Sequence, residues 1–318
     1  MSKQRPLSFK SLKTAPLRDK KVNHREQDFG APYQAGGSLS DFLCSLPNLG
    51  IASQLFIVRD QIVQAYRSRR NIILACGGQL FDAGLSPLLT RLIELRLING
   101  LAMTGAALLR DVEIALTGNT FTSSLSSIRN GTFIMPDETG QLINDAINLG
   151  ASEGWGIGKS VGQRLIDAEW EHLEHSVVYT AVRLGTPVTV HTATGADSFH
   201  FHPSAHGESI GAAAMMDTRQ LAGLMAESSN GVVLNIASNA VMPQVLLMAL
   251  AAARNLGHAV EQLTTVLIDR DTLPHSALSG MKRLARPDGQ AVHLQGAVEI
   301  MLPLLFASVL EALGDELK

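Results

Sequence analysis

Short apolar runs alternate along the chain with longer segments whose apolar positions recur at helical spacing. The apolar runs are 71–76, 100–104, 187–192, 232–236, 264–268 and 292–294, and the helical segments are 39–46, 51–66, 86–97, 107–116, 138–149, 159–184, 243–255 and 297–313. Strands that are apolar throughout and alternate with helices are typical of a parallel sheet covered on both faces. The pattern predicts an α/β protein with a Rossmann-like, mostly parallel sheet.

The first 35 residues break this pattern, because they are polar and charged with no helical or strand periodicity. We predict an extended N-terminal arm over 1–35 and a single α/β domain over 36–318. The chain carries a net charge of −3 and two cysteines, which argues against a nucleic-acid partner and against a disulfide framework. It shows no leader peptide and no apolar run of the ~20 residues that a membrane span needs, so we expect a cytoplasmic protein with no membrane contact.

The stretch 154–160, GWGIGKS, ends like a phosphate-binding loop. Such a loop needs a glycine five residues before the final one, and that position holds Glu153, whose carboxylate repels phosphate. The motif also needs a preceding strand, whereas 141–148 has a helical pattern. We therefore interpret the stretch as a link between two helices, with the second beginning near Gly158.

Small or polar residues follow each predicted strand, and they mark where a ligand is expected. In open parallel sheets, ligands bind beyond the carboxyl ends of the strands, where neighbouring connections diverge. The segments at these ends are Gly77-Gly78, Thr104-Gly105, Gly195, Ala237-Ser238-Asn239 and Asp269.

Several of these segments, in order, resemble deoxyhypusine synthase over about residues 70 to 313. They are GGQLFDAG at 77–84, LAMTGAALLRD at 101–111, PVT at 187–189 running into GADS at 195–198, LNIASN at 234–239, and VHLQGA at 292–297 leading into Pro303-Leu304-Leu305. The resemblance implies a Rossmann-like fold, NAD as cofactor and a homotetramer or dimer. Deoxyhypusine synthase oxidises spermidine and moves its aminobutyl group onto a lysine of a translation initiation factor.

By this resemblance the chain is expected to be an NAD-dependent transferase acting on a polyamine or related amine. The residues that it implies for NAD binding are Gly77, Gly78, Asp82, Thr104, Gly105, Ala106, Asp197, Ser238 and Asn239. Departures at Arg110, Pro243 and the Ala237-Ser238-Asn239 turn argue against strict deoxyhypusine synthesis. The segment of the imine-forming lysine is also shortened, and Lys282 is the one lysine between Lys159 and Lys318, so we assign it provisionally as the catalytic amine.

Four histidines cluster at positions 191, 200, 202 and 206. In an extended chain, His200 and His202 would project to the same side, as metal ligands do. Histidine as a general acid or base fits a segment that follows a strand, and we assign that role to His202 or His206. Two other functions stay open: a ligand-binding or regulatory protein of the same fold, and a metal-dependent enzyme built on this cluster.

Overall fold

The structure is a computed structural model, and it describes residues 7–122, 128–131, 137–270 and 275–317. Its centre is a sheet of six parallel strands in the order β3-β2-β1-β4-β5-β6. The strands are β1 (Ile72–Cys76), β2 (Gly100–Thr104), β3 (Val188–His191), β4 (Val232–Ile236), β5 (Thr264–Asp269) and β6 (Gln290–Gln295). The α/β fold expected from the apolar runs is confirmed, and the order is that of a Rossmann fold.

Helices cover both faces of this sheet. They are α1 (Leu39–Ser45), α2 (Gly50–Arg67), α3 (Gln79–Asp82), α4 (Ser86–Glu94), α5 (Gly105–Thr117), α6 (Asp137–Ser152), α7 (Ile157–Ile166), α8 (Val177–Arg183), α9 (Gly207–Ala226), α10 (Met242–Asn255), α11 (His275–Leu284) and α12 (Val298–Leu313).

Alternating residues of the four central strands, β2, β1, β4 and β5, enter two separate cores. Leu74 of β1 belongs to the larger core, with α2, α4 to α8 and α12, whereas Ile73 and Ala75 belong to the smaller core, with α9, α10 and α11. Because successive side chains of a strand point to opposite faces, a strand buried on both faces is apolar throughout. This explains why the central strands lack the alternating pattern of a half-exposed sheet.

The structure corrects the sequence-based elements in two places. The single helix expected over 159–184 is two helices, α7 and α8, separated by the polar segment 167–176. The sequence analysis also missed α9 and α11. In α9 the fully buried positions are Ala213, Asp217, Leu221 and Met225, which recur every four residues, but glycines and a central carboxylate obscure this spacing.

The segment before α1 is exposed along nearly all its described length. Residues 7–38 contain two short 3₁₀ turns and no strand, while residues 1–6 of the expected arm lie outside the described part of the chain. Over the described ranges, no helix combines the length and apolar character that crossing a bilayer requires.

Candidate functional site

The carboxyl ends of β1 and β4 lie side by side at the point where the strand order reverses. The chain leaves β1 toward β2 on one side, while β4 and β5 lie on the other side. In sheets of this topology, the diverging connections leave a crevice at this point. The segments at its rim are those after β1 and β4, which the sequence analysis had assigned to cofactor binding.

Backbone packing at this point is close enough to require glycine at position 77. The Gly77 amide donates a hydrogen bond to the Ile236 carbonyl at 3.1 Å, and a Cβ on Gly77 would collide with the Ala237 carbonyl oxygen. Ala237 has a left-handed backbone (φ 50°), and its amide donates to the Ile268 carbonyl at 3.0 Å. The turn after β4 is therefore fixed from both sides, with Ser238 buried and Asn239 half-buried at the rim.

The turn after β2 is equally tight, and a carboxylate covers it. The Thr104 hydroxyl accepts a hydrogen bond from the Ala107 amide at 3.2 Å and caps the first turn of α5. A Cβ on Gly105 would collide with the Asp197 carboxylate, so glycine makes room for that side chain. Gly78 packs against the carbonyl of Ala106, where a Cβ would lie 3.2 Å from the oxygen.

Asp197 is a largely buried carboxylate above this turn. Its Oδ2 accepts a hydrogen bond from the Ala193 amide at 2.7 Å. Burial raises the pKa of Asp197, while this hydrogen bond and the nearby His200 lower it. Its position beside the α5 terminus, together with its burial, gives the site a carboxylate that could hold a cationic amine.

One histidine precedes Asp197 in the chain and another follows it. His191 ends β3 opposite Thr104, and one of its ring nitrogens lies 3.0 Å from the Thr189 hydroxyl. Burial lowers the pKa of His191 to about 4, so its imidazole is neutral at physiological pH. The His200 ring packs edge-on against Phe199 at 4.5 Å between centroids, and both of its nitrogens are buried without a hydrogen-bond partner in the described structure.

The sequence analysis did not single out His200 among the four histidines. It treated 200–202 as an extended chain, whereas Ser198–Phe201 forms a 3₁₀ helix in which the His200 amide donates to the Asp197 carbonyl at 3.2 Å. This turn, and not an extended pair with His202, sets the direction of the imidazole. Burial lowers the pKa of His200, and the Asp197 carboxylate opposes that shift. The spacing of Asp197 and His200, three residues apart in the sequence, was the signal that could have identified this pair.

His202 and His206, the assigned acid–base candidates, have different surroundings. His202 Nδ1 lies 2.7 Å from the Ser204 hydroxyl and Nε2 lies 3.2 Å from the Asp137 carboxylate. His206 is exposed at the start of α9. Within the described ranges, no three His, Cys, Asp or Glu side chains are grouped closely enough to hold a metal ion. The metal-dependent alternative therefore has no ligand set there.

The structure does not bring Lys282 to this edge of the sheet. Lys282 is exposed near the C-terminal end of α11. The carbonyl of the preceding Met281 accepts a hydrogen bond from the Thr265 hydroxyl at 3.0 Å, which places this part of α11 at the amino end of β5. Within this chain, Lys282 is not brought together with Asp197 and Gly77, because it lies at the opposite end of the sheet, and its catalytic role stays a prediction.

A cleft of about 390 Å³ opens at the carboxyl ends of β1 and β5. Three carboxylates line it, those of Asp82, Asp269 and Glu299. Arg270 pairs with Glu299 at 2.6 Å. Asp82 pairs with Arg110 at 3.0 Å, and Arg110 also contacts the buried Glu113 at 2.8 Å. Arg110, where the resemblance led us to expect an acid, therefore anchors Asp82 at the rim.

The GWGIGKS stretch binds a carboxylate of the chain itself. It links α6 to α7, as expected from the sequence. The Gly158 amide donates to Asp217 Oδ2 at 3.1 Å, and the Val190 amide of edge strand β3 donates to the same oxygen at 2.8 Å. Anionic groups bind at helix N-termini because the free amides point at them. Here the position that a phosphate would take is filled by Asp217.

The buried Asp217 should make stability depend on pH. Burial raises its pKa from 3.8 to about 7, so the folded protein keeps a proton that the unfolded chain releases above pH 3.8. Stability from this group is therefore greatest at low pH and is lost as pH rises to about 7. We expect the unfolding free energy of wild type relative to Asp217→Asn to fall by about 2 kcal/mol between about pH 5 and 7.5 in urea titrations. A pH-independent difference would contradict this assignment.

No family model matches this chain, and no curated protein matches its sequence. Among solved structures, AgrE in complex with ornithine and NAD⁺ is similar, with a TM-score of 0.52 and 16% identity over 83% of this chain and 34% of AgrE. A candidate deoxyhypusine synthase from Entamoeba histolytica has a TM-score of 0.51 and 13% identity, over 88% of this chain and 95% of that one. A candidate LOR/SDH protein from Methanococcus maripaludis S2 has a TM-score of 0.50 and 14% identity, over 95% of this chain and 75% of that one.

These similarities concern the fold. The chain spans about a third of the AgrE chains that it matches. At such identities, a common architecture carries no residue roles from one protein to another. The fold is therefore shared with a protein that binds NAD⁺, and the assignment of chemistry to this chain depends on its own residues.

Proposed function

We propose that the protein binds NAD at the carboxyl edge of its sheet and transfers a hydride to it from an amine. The observation that carries the proposal is the junction of β1 and β4, where the strand order reverses and Gly77 packs against the Ala237 carbonyl. In Rossmann folds, glycine in the first βα turn lets the backbone approach the dinucleotide. The cofactor then extends over Gly77-Gly78 and Ser238-Asn239.

The acidic lining of the site favours a cationic substrate and a ribose-bearing cofactor. Asp82 and Asp269 stand at the rim of the cleft, where carboxylates accept hydrogen bonds from ribose hydroxyls. Asp197 lies on the other side, above Gly105, and is suited to an ammonium group. A polyamine or related amine fits this distribution better than an anionic substrate does.

The Asp197–His200 pair supplies the acid–base group. Both ring nitrogens of His200 are buried and have no hydrogen-bond partner among the described residues. Burial lowers the pKa of the ring, so the imidazole is neutral at physiological pH and can accept a proton. When bound, NAD⁺ would supply the acceptor for the hydride that a carbon next to the amine nitrogen loses. His200 would take the proton that the nitrogen loses as the amine becomes an imine. His202 and His206 remain further candidates for this proton.

Transfer of the resulting group would follow if a second amine attacked the imine carbon and displaced the first amine. The reduced cofactor would then supply the hydride that converts the new imine to an amine. This is an aminobutyl-type transfer when the substrate is spermidine. Lys282, the lysine expected to carry the imine, lies at the far end of the sheet in this chain. The proposal therefore has the acceptor amine attack directly, and strict deoxyhypusine synthesis is not part of it.

Titration of NAD into the purified protein by calorimetry, with and without spermidine, tests the cofactor. We expect saturable binding with a Kd below about 1 mM. Asn239→Trp, which places a large ring at the rim of the crevice, should abolish binding. Glu261→Trp is the matched control, because Glu261 is exposed in the turn before β5, at the other end of the sheet.

Two results would overturn the cofactor assignment: no heat at millimolar NAD, or equal binding by wild type and Asn239→Trp. Binding of NAD without NADH formation from any amine would instead favour a ligand-binding protein of the same fold. That outcome keeps the site and removes the hydride transfer.

A further inference from the structure

A second cavity, of about 460 Å³, lies at the amino edge of the sheet, opposite the proposed NAD site. Four arginines from three segments line it: Arg67 at the end of α2, Arg69 and Arg70 in the turn into β1, and Arg96 in the turn into β2. The whole chain carries a net charge of −3, so this local excess of cations is not a property of the surface in general.

Backbone geometry makes two of these arginines unexpected. Arg69 and Arg96 have left-handed backbones, with φ of 52° and 57°. Each is the second residue after its helix, directly following the C-cap residue. The same pair of amide-to-carbonyl hydrogen bonds closes both helix ends, from Arg69 to Tyr66 and Arg70 to Ala65, and from Arg96 to Ile93 and Leu97 to Leu92. Glycine is the usual residue at this position, because a Cβ is unfavourable there.

The same chain uses glycine where it makes comparable turns elsewhere. Gly185 ends α8 before β3 with φ of 75°, and Gly257 follows α10 before β5 with φ of 92°. The turns before β1 and β2 are neighbours in the sheet and both carry arginine instead. The strain of a left-handed arginine is therefore accepted at two adjacent points that face one cavity.

The guanidinium groups are only partly neutralised by the protein. Glu316 is the one carboxylate among the described residues that line the cavity, and it pairs with Arg67 at 2.6 Å. Arg96 donates one hydrogen bond to the Leu184 carbonyl at 2.8 Å and keeps its other donors. Arg69 and Arg70 are exposed to solvent at the cavity.

We propose that this cavity binds a small molecule carrying at least two phosphate groups. Arginine presents several donors in a planar fork that matches phosphate oxygens, and charge-assisted hydrogen bonds of this kind are strong. A concave volume of about 460 Å³ is within the range of small-molecule sites and too confined for a duplex. The site is independent of the proposed NAD site, which lies at the other end of the strands.

Cations near a helix C-terminus also stabilise the helix dipole, and this is the structural alternative. Arg67 in the last turn of α2 meets that need and has its own carboxylate partner. Stabilisation of the helix dipole does not explain why Arg69 and Arg96 occupy left-handed positions, where glycine would avoid the strain.

The test is calorimetric titration of the full chain with pyrophosphate and, separately, with ATP, at fixed ionic strength. The double variant Arg69→Gly/Arg96→Gly removes both guanidinium groups and relieves both left-handed backbones, so it should fold at least as stably as wild type. We expect saturable pyrophosphate binding by wild type that weakens at least about tenfold in the variant. Arg283→Ala, at an exposed arginine on α11, controls for the loss of a surface guanidinium elsewhere and should bind as wild type does.

Stronger binding of ATP than of pyrophosphate, with the same loss in the double variant, would support the site and show that a nucleoside adds contacts. Three results would overturn the proposal: no saturable pyrophosphate binding by wild type, equal binding by the double variant and Arg283→Ala, or preference for a single-stranded oligonucleotide over both probes. The Asn239→Trp variant should leave pyrophosphate binding unchanged, which separates this site from the failure or success of NAD binding.

Discussion

Replacing Gly77 by alanine is expected to lower the free energy of unfolding by about 3 kcal/mol, because the new methyl group meets rigid backbone. The Ala237 carbonyl that it would strike belongs to a turn held by the Ala237 amide bond to Ile268, and the Gly77 amide itself is bonded to Ile236. Neither chain can withdraw without breaking a hydrogen bond between the ends of β1, β4 and β5. Urea unfolding of the purified variant measures the loss.

Two other glycines serve as controls for this substitution. Gly78→Ala brings a Cβ to 3.2 Å from the Ala106 carbonyl, which a small shift relieves, so a loss well below that of Gly77→Ala is expected. Gly211→Ala lies in open space within α9 and should stabilise the protein by about 0.5–1 kcal/mol. If Gly77→Ala unfolds at the same urea concentration as Gly78→Ala, the junction of β1 and β4 is looser than the structure indicates.

Glycine at the strand ends was the part of the site that sequence could predict. Gly77 and Gly105 follow apolar strands, and in a parallel sheet such turns meet at one edge. Their neighbours could not be predicted in the same way. The Asp197 carboxylate packs on Gly105 although 92 positions separate them in the chain, and no local pattern encodes that contact.

Local periodicity also failed where burial and polarity conflict. Asp217 occupies a core-facing position of α9, because the amides of Gly158 and Val190 need an acceptor there. A carboxylate at the centre of an amphipathic pattern conceals the helix from a search for apolar spacing. Asp111 in α5 is also a buried carboxylate, although that helix was predicted: it accepts hydrogen bonds from Ser176, Val177 and Val178 at the start of α8. Both carboxylates depend on partners distant in sequence.

Lys282 illustrates the opposite error, in which residue type was weighed without position. As the one lysine between Lys159 and Lys318, it was the natural candidate for an imine. A helix that follows a strand runs back toward the amino edge, so a residue near its C-terminal end cannot reach the strand ends of the same chain. The direction of the βα unit thus separates Lys282 from the strand-end residues of its own chain, which residue type alone did not predict.

Replacing His200 by asparagine is expected to lower kcat for NAD-linked amine oxidation by about 100-fold or more, the usual contribution of a general base. In the described part of the chain, His200 is the histidine with both ring nitrogens buried and without a hydrogen-bond partner, and it lies near the Asp197 carboxylate. NADH absorbance with spermidine as substrate measures the rate. The wild-type rate should rise with pH through the pKa of His200, which burial holds below the ordinary value of 6.5, and this step should vanish in the variant.

His202→Asn and His206→Asn are the matched controls, because all three histidines lie within one short segment. His202 is held between Ser204 and Asp137, and His206 is exposed, so each replacement should cost less than about fivefold in kcat. Asp197→Asn retains the hydrogen bond from the Ala193 amide but removes the charge, and it should raise the KM for spermidine. If His202→Asn or His206→Asn reduces kcat as much as His200→Asn does, and removes the same step in the pH profile, the proton goes to that histidine. In that case, the Asp197 carboxylate and the His200 ring contribute to the fold and not to proton transfer, and His200 lacks a partner because it is buried.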